Sequence, residues 1–263
     1  MIPKIIHYCW FGGNEKPELA VKCIESWRKF CPDYTIVEWN EDNYDINSCK
    51  YVREAYDNGK WAFVSDYARF DILFEHGGIY FDTDVELINP INDIIEKGPF
   101  MGMEDDRGSI NSGLGLALEK GNIIAKEILE GYRNRQFIQA NGFYDQTNVV
   151  SYVTSIFKEK GYILESHIQC IEGITIYTKD YFCPLNYDTG ELNITNNTRS
   201  IHHYTSSWKS GREKNWHQFS MLVHKRFRLS TADSIMSSFT VRLIGSLYRN
   251  GIINTIKMAI GRR

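Results

Sequence analysis

The first ninety residues alternate short apolar runs with segments of helical spacing, and this alternation restricts the possible folds more than any other feature. Apolar runs rich in β-branched and aromatic residues are typical of buried strands, and apolar residues three or four apart are typical of helices. The pattern predicts strands at 2–11, 34–39 and 79–81, with helices at 17–30, 52–58 and 63–75. Strand–helix–strand units cross over in a right-handed sense, so this order predicts a largely parallel sheet in an α/β fold.

The pattern is looser after residue 109. It predicts helices at 123–132 and 147–158 and short strands near 174–177 and 200–204. We therefore expect one domain over 1–220 and a helical appendage over 221–263. The appendage has eight Lys or Arg residues and a single acidic residue, Asp233, although the whole chain has a net charge of −3.

Composition narrows the class of protein. The 263 residues are 43% hydrophobic and 24% charged, which is ordinary for a globular protein. A net charge of −3 argues against a nucleic-acid partner, because such proteins need a basic face. The six cysteines form no C-x-x-C pair, and no signal peptide or membrane-spanning run is evident. These features predict a cytoplasmic protein.

The segment Asp82-Thr83-Asp84 follows a double glycine and a short apolar run. Residues two apart in an extended chain point to the same face, so both carboxylates are expected to converge on one cation. Carboxylate oxygens suit Mg²⁺ or Mn²⁺, which would neutralise charge on a departing diphosphate. Surface turns also contain such acidic pairs by chance, but the buried strand that precedes Asp82 favours a functional interpretation of this pair. Because two adjacent acids repel, we expect Asp84→Ala to leave the fold intact.

Asp66 and Arg69 are three residues apart and share one face of the predicted helix. One interpretation is a surface ion pair, with Ser65 as the helix N-cap. The other is a binding site, in which Asp66 accepts hydrogen bonds from sugar hydroxyls and Arg69 pairs with a carboxylate or phosphate. Spacing alone favours the ion pair.

These segments together resemble a known family. Residues 63–69, which read F-V-S-D-Y-A-R, and 77–84, which read G-G-I-Y-F-D-T-D, resemble the sugar-binding region with a DXD motif of glycosyltransferase family 32. That family includes yeast initiating α-1,6-mannosyltransferases and bacterial capsule and exopolysaccharide enzymes, and clostridial toxin glucosyltransferase domains look similar. Residues 2–13 are similar to its opening strand, and 201–208 to a later H-H-aromatic-x-x-S-W segment.

The resemblance implies a GT-A type nucleotide-diphospho-sugar transferase fold, built as a single Rossmann-like domain. It also implies roles for the matching residues. Trp10 would stack on the nucleotide base, Ser65, Asp66, Arg69 and Tyr80 would lie at the donor sugar, Asp82 would contact the ribose or the metal, and Asp84 would bind the metal.

The later segment and the middle of the chain supply the remaining candidates. By resemblance, His203 falls at the position of a metal ligand, with His202 as a hydrogen-bonding histidine and as the alternative ligand. Ser206 and Trp208 would contact the diphosphate. Asn111 is expected to face the donor sugar, and Gln146 to lie near the reacting face.

The function implied is a retaining, metal-dependent transfer of a hexose or N-acetylhexosamine from a nucleotide-sugar to a hydroxyl of a glycan or lipid-linked oligosaccharide. The context of Trp10 favours a UDP-sugar, and a GDP-mannose-dependent enzyme is the alternative. A non-catalytic nucleotide-sugar-binding module and a metal-dependent hydrolase are the competing classes.

The basic segment 221–263 has apolar residues at helical spacing, which predicts either a helix packed on the domain or a peripheral contact with anionic lipid.

Overall fold

The computed structural model describes residues 1–145, 147–187 and 189–205. Residues 1–185 and 193–205 form one compact unit. The predicted boundary between 220 and 221 and the predicted helical appendage lie outside the described residues.

The first part of the chain folds as its sequence pattern predicts. Its elements are β1 (Ile5–Cys9), α1 (Glu18–Phe30), β2 (Thr35–Trp39), α2 (Lys50–Asp57), α3 (Trp61–His76) and β3 (Gly78–Tyr80). The rest of the described chain adds β4 (Val85–Leu87), α4 (Asn92–Ile95), β5 (Phe100–Met103), β6 (Ile110–Asn111), β7 (Leu116–Leu118), α5 (Ile123–Arg133), α6 (Val149–Glu159), β8 (Gln169–Ile171), β9 (Ile174–Tyr177), α7 (Lys179–Phe182) and β10 (Ser200–His202). The strands β4 to β8 are not predicted by the sequence pattern.

The main sheet has the order β2-β1-β3-β7-β5-β9-β8, with β6 paired to β5. Strands β1, β2 and β3 are parallel, as the sequence predicts, and β5 is parallel to β9. The pairs β3–β7, β5–β7, β5–β6 and β8–β9 are antiparallel, so antiparallel strands are added to the predicted parallel ones. The antiparallel strands are short segments joined by turns, which the periodicity of the sequence does not reveal.

Two apolar clusters cover the two faces of this sheet. One gathers side chains of α2, α3, α5 and α6, and the other gathers side chains of α1, β4, α4 and α7. Helix α1 is amphipathic and buries Cys23, Ile24 and Trp27. The described residues therefore form a helix–sheet–helix arrangement, in which the carboxyl ends of β1, β2 and β3 lie at one edge.

The double glycine ends α3 and begins β3. Gly77 and Gly78 have φ values of 66° and 109°, in the region that glycine adopts without strain. A Cβ at Gly78 would lie 2.7 Å from the carbonyl oxygen of Ile5 on β1. The two glycines therefore let the chain turn sharply and bring β3 against β1, directly before the acidic segment.

Among the described residues, no helix is both long and apolar enough to cross a membrane.

Candidate active site at the carboxyl ends of the parallel strands

The acidic segment Asp82-Thr83-Asp84 forms a turn between β3 and β4. The backbone N–H of Val85 donates to the carbonyl oxygen of Asp82 at 3.0 Å, which closes this turn. The chain is therefore not extended here, so the argument from strand geometry that places both carboxylates on one face does not apply. Each carboxylate has its own set of partners instead.

Asp82 is held by side chains of α3 and β3. Its Oδ1 lies 3.2 Å from Nη2 of Arg69 and accepts a hydrogen bond of 3.1 Å from the Tyr80 hydroxyl. Its backbone N–H donates to the carbonyl oxygen of Gly113 at 2.9 Å. A Cβ at Gly113 would lie 1.9 Å from Asp82 Oδ2, so glycine is the residue that leaves room for this carboxylate.

Arg69 joins the two predicted motifs. Its Nη2 also donates to Asp66 Oδ1 at 2.9 Å, and its Nη1 donates to Ser112 Oγ at 3.3 Å. Only 4% of the Arg69 side chain is exposed. The surface ion pair that the spacing favoured is therefore a buried cluster of two acids and one shared guanidinium. Ser65 lies inside α3, where its hydroxyl donates to the carbonyl oxygen of Trp61, and it is not the N-cap.

Burial raises the pKa of Asp66 to about 7, and the charge of Arg69 only partly opposes this effect. Arg69 is shared with Asp82, so it does not fully offset the burial of Asp66. Asp66 is 9% exposed.

The raised pKa of Asp66 predicts a pH-dependent stability. Between its ordinary pKa and about 7 the folded chain keeps a proton that the unfolded chain has lost, so the free energy of unfolding falls as pH rises through this window. Replacing Asp66 with asparagine should remove this dependence. The free energy of unfolding of Asp66→Asn, measured with urea and compared with that of the unchanged protein, should rise by about 2 kcal/mol between pH 5 and pH 8. The exposed Asp57→Asn should show no such gain, and a parallel pH dependence for all three proteins would contradict the prediction.

Asp84 is held by β10 and the residues after it. Its Oδ1 lies 3.2 Å from Nε2 of His202, and its Oδ2 accepts hydrogen bonds from the backbone N–H and the hydroxyl of Thr205 at 2.9 and 2.8 Å. Burial raises the pKa of Asp84, but His202 and Thr205 outweigh it and leave that pKa well below its usual range. Burial lowers the pKa of His202, but the Asp84 carboxylate raises it well above its usual range. The two side chains therefore form a buried ion pair.

The two adjacent histidines face different acids. His203 Nε2 lies 2.8 Å from Glu86, which also binds Lys22, so His203 is directed away from the acidic pair. The structure thus places His202, and not His203, beside Asp84. Neighbouring residues of a strand project to opposite faces, and β10 pairs with β4 so that His202 lies opposite Val85.

Trp10 and Tyr80 occupy the ends of β1 and β3. Trp10 is half-buried, and its indole N–H donates to the carbonyl oxygen of Asn14 at 2.7 Å. The Lys16 amine lies 5.8 Å from the Trp10 ring centre. Tyr80 is buried, with the Arg69 guanidinium 4.9 Å from its ring centre. Tyr80 thus supports Asp82 and Arg69, while Trp10 stays partly accessible at the strand end.

Asn111 has both ends of its amide occupied. Its Nδ2 donates to Glu104 Oε2 at 2.8 Å, and its Oδ1 accepts from the backbone N–H of Gly113 at 2.7 Å. Sequence analysis did not single out Glu104. The signal that could have revealed it is its place directly after β5, because ligands of such sheets bind beyond strand ends.

Gln146, Ser206 and Trp208 lie outside the described residues. Asp145, directly before Gln146, is buried and pairs with Arg135, with Asp145 Oδ2 2.5 Å from Arg135 Nη2.

The residues that could hold a divalent cation are Asp82 and Asp84. The described part of the chain contains no group of three or more His, Cys, Asp or Glu side chains arranged around a common point. Mg²⁺ is commonly bound through one or two carboxylates, with water and substrate phosphates completing the shell. The side chains of Asp82 and Asp84 follow the end of β3 and are 30% and 13% exposed. Two such carboxylates fit an ion that arrives with a diphosphate.

Carboxylates and a partly accessible tryptophan thus lie at the ends of the parallel strands, where ligands of α/β sheets bind. Residues 17–101 match the family model described as "Glycosyltransferase sugar-binding region containing DXD motif". The match covers the segment whose motifs predicted this family, so the presence of its sugar-binding region is confirmed. The predicted α/β fold is likewise confirmed by the observed strands and helices.

Curated relatives match over the same part of the chain. Inositol phosphoceramide mannosyltransferase 3 of Schizosaccharomyces pombe is 29% identical over 120 residues, which are 44% of this chain and 33% of that protein. An uncharacterized glycosyltransferase of Acanthamoeba polyphaga mimivirus is 36% identical over 107 residues, which are 38% of this chain and 42% of that protein. The matches thus span less than half the length of these relatives.

Solved structures of glycosyltransferases show a partial likeness. The PaToxG glycosyltransferase is 17% identical with a TM-score of 0.45, over 60% of this chain and 70% of that one. Mouse xyloside xylosyltransferase 1 is 11% identical with a TM-score of 0.45, over 77% of this chain and 98% of that one.

Proposed function

We propose that the chain is a glycosyltransferase that moves a sugar from a nucleotide-diphosphate donor to a hydroxyl of a glycan acceptor. The observation that carries this proposal is the direct link between the two motifs. The Arg69 guanidinium bonds both Asp66 and Asp82, so that a sugar-binding helix and the acidic turn form one unit. This link supports a single site for the sugar and the diphosphate of one donor.

The charged residues of the site have different proposed roles. Asp66, a buried carboxylate, accepts hydrogen bonds from sugar hydroxyls, and Arg69 fixes its position. Asp82 and Asp84 would hold a divalent cation, Mn²⁺ or Mg²⁺, which when bound neutralises charge on the diphosphate. His202 is the imidazole that would serve as a further ligand, once it gives up the proton that the ion pair with Asp84 retains. Ser206 and Trp208 remain proposed contacts of the diphosphate, and Gln146 of the reacting face.

The reaction we propose keeps the configuration of the sugar. The bond between the anomeric carbon and the phosphate oxygen breaks, and a bond from that carbon to the acceptor oxygen forms on the same face. The proton of the acceptor hydroxyl passes to the departing phosphate. The family resemblance supports this course, and an NMR measurement of the anomeric configuration of the product would test it.

Trp10 favours a UDP-sugar of a hexose or N-acetylhexosamine as the donor. Two curated relatives are mannosyltransferases by name, which supports GDP-mannose as the alternative. We further propose a role in polysaccharide synthesis at the inner surface of a bacterial membrane, with a lipid-linked oligosaccharide as acceptor. The basic composition of 221–263 supports this peripheral contact.

A screen for nucleotide release tests the main proposal. The full chain is incubated with UDP-glucose, UDP-galactose, UDP-N-acetylglucosamine, UDP-N-acetylgalactosamine or GDP-mannose, with Mn²⁺ or with EDTA. We expect one or two donors to release nucleotide, and EDTA to suppress the release. Binding of a donor without release under every condition would instead identify a non-catalytic module. Release that continues undiminished in EDTA would contradict the proposed role of the metal.

A further inference from the structure

Glu104 occupies a second strand end beside the acidic turn. It directly follows β5, and its backbone N–H donates to the carbonyl oxygen of Ser109 at 2.9 Å, which closes the short loop to β6. The side chain is partly buried. Strand β5 pairs with β7, which in turn pairs with β3. This loop and the acidic turn therefore follow strands of the same sheet.

A chain of three hydrogen bonds fixes Glu104 relative to Asp82. Glu104 Oε2 accepts from Asn111, Asn111 Oδ1 accepts from the N–H of Gly113, and the carbonyl oxygen of Gly113 accepts from the N–H of Asp82, at 2.8, 2.7 and 2.9 Å. Asn111 is 8% exposed, and Gly113 is buried. A carboxylate held through buried partners has a defined position, unlike an acid at the tip of a mobile surface loop.

The two oxygens of Glu104 differ in their partners. Oε2 takes the hydrogen bond from Asn111, while Oε1 has no hydrogen-bond partner among the residues that the structure describes. Burial raises the pKa of Glu104, the hydrogen bond from Asn111 opposes this effect, and the charge of His202 acts in the same direction as Asn111. The positive charge of His202 therefore favours the ionised form of Glu104.

We infer that Glu104 binds a hydroxyl of the sugar acceptor through its oxygen Oε1. The inference rests on the proposed glycosyltransferase function. A carboxylate accepts hydrogen bonds and repels a diphosphate, so its partner is a neutral hydroxyl. The donor sugar is assigned to Asp66 and Arg69 on α3, whereas Glu104 reaches the acidic turn from β5 and β6, which leaves the acceptor as its partner.

The test separates transfer to an acceptor from hydrolysis of the donor. Glu104→Gln keeps an oxygen that accepts the Asn111 hydrogen bond but removes the charge. The probes are methyl α- and β-glycosides of glucose, galactose and mannose at high concentration. We expect kcat/KM for the methyl glycoside to fall about 10- to 100-fold, the range for a hydrogen bond to a charged group, while hydrolysis without acceptor stays within about twofold. Asp106→Asn, an exposed acid two residues away that pairs with Lys179, should change neither rate.

The possible results distinguish failure of the proposed glycosyltransferase function from failure of the proposed role of Glu104. A wild-type protein that neither hydrolyses a donor nor transfers its sugar overturns the proposed function, and this inference with it. Equal losses of hydrolysis and transfer in Glu104→Gln would place Glu104 on the donor side and overturn the inference alone. Unchanged transfer would also overturn it. So would a wild-type protein that hydrolyses the donor but transfers to none of the glycosides, because a site that holds a sugar hydroxyl diverts some donor from water.

Discussion

Replacing Asp84 with asparagine is expected to lower metal-dependent nucleotide release about 10²- to 10³-fold, the effect of removing one electrostatic group that stabilises a transition state. The carboxylate of Asp84 is 13% exposed at the strand mouth, and as a proposed metal ligand it would help to neutralise the departing diphosphate. An asparagine oxygen can still accept the hydrogen bonds from Thr205 but carries no charge. The measurement is the rate of nucleotide release, with the donor and Mn²⁺ both saturating.

Asparagine is a better test than alanine. Asp84 forms a buried ion pair with His202 and accepts hydrogen bonds from Thr205, so alanine would remove both the counter-charge and the acceptor, whereas asparagine keeps the acceptor. The structure therefore does not support the expectation that Asp84→Ala leaves the fold intact. Asp93→Asn, an exposed acid paired with Arg199, is the matched control and should keep the full rate. Full nucleotide release by a folded Asp84→Asn protein would contradict the metal-binding role.

Replacing Arg69 with alanine is expected to lower the free energy of unfolding by about 3–5 kcal/mol, the range for removing one partner of a buried ion pair. Asp66 and Asp82 both rely on this guanidinium, whose side chain is 4% exposed. Without it two neighbouring carboxylates would repel each other at the strand mouth. Urea unfolding measures the change, and an unchanged m-value would show that the transition keeps its character.

Two further variants make the Arg69 prediction specific. Arg53 pairs with Asp57 on the surface of α2, where both side chains are about half exposed, so Arg53→Ala should cost less than about 1 kcal/mol. Adding Asp66→Asn to Arg69→Ala removes one of the two uncompensated charges and should restore part of the loss. A cost for Arg69→Ala no larger than that for Arg53→Ala would show that the cluster is more solvated than its burial indicates.

Local sequence patterns were sufficient for the first half of the fold. The apolar runs and helical spacing predicted β1, α1, β2, α2, α3 and β3 with ends that differ by a few residues from those in the structure. The strands β4 to β8 were not predicted; each has two to four residues, and so short a run is a weak signal unless other sequence features mark it. Their pairing also makes the sheet mixed, which depends on contacts between distant segments.

For the candidate site, the sequence by itself determined which residues carry charge and where they occur along the chain. The acidic segment, the double glycine and the Asp66–Arg69 spacing are local, and they were sufficient to predict the family. Their partners were decided by the tertiary structure. Asp84 meets His202, and not His203, because β10 pairs with β4 in one register, and a shift of one residue would exchange the two imidazoles. The position of Glu104 has the same physical cause. The pairing of strands in the sheet places β5 and β6 near the acidic turn, although they are distant along the chain.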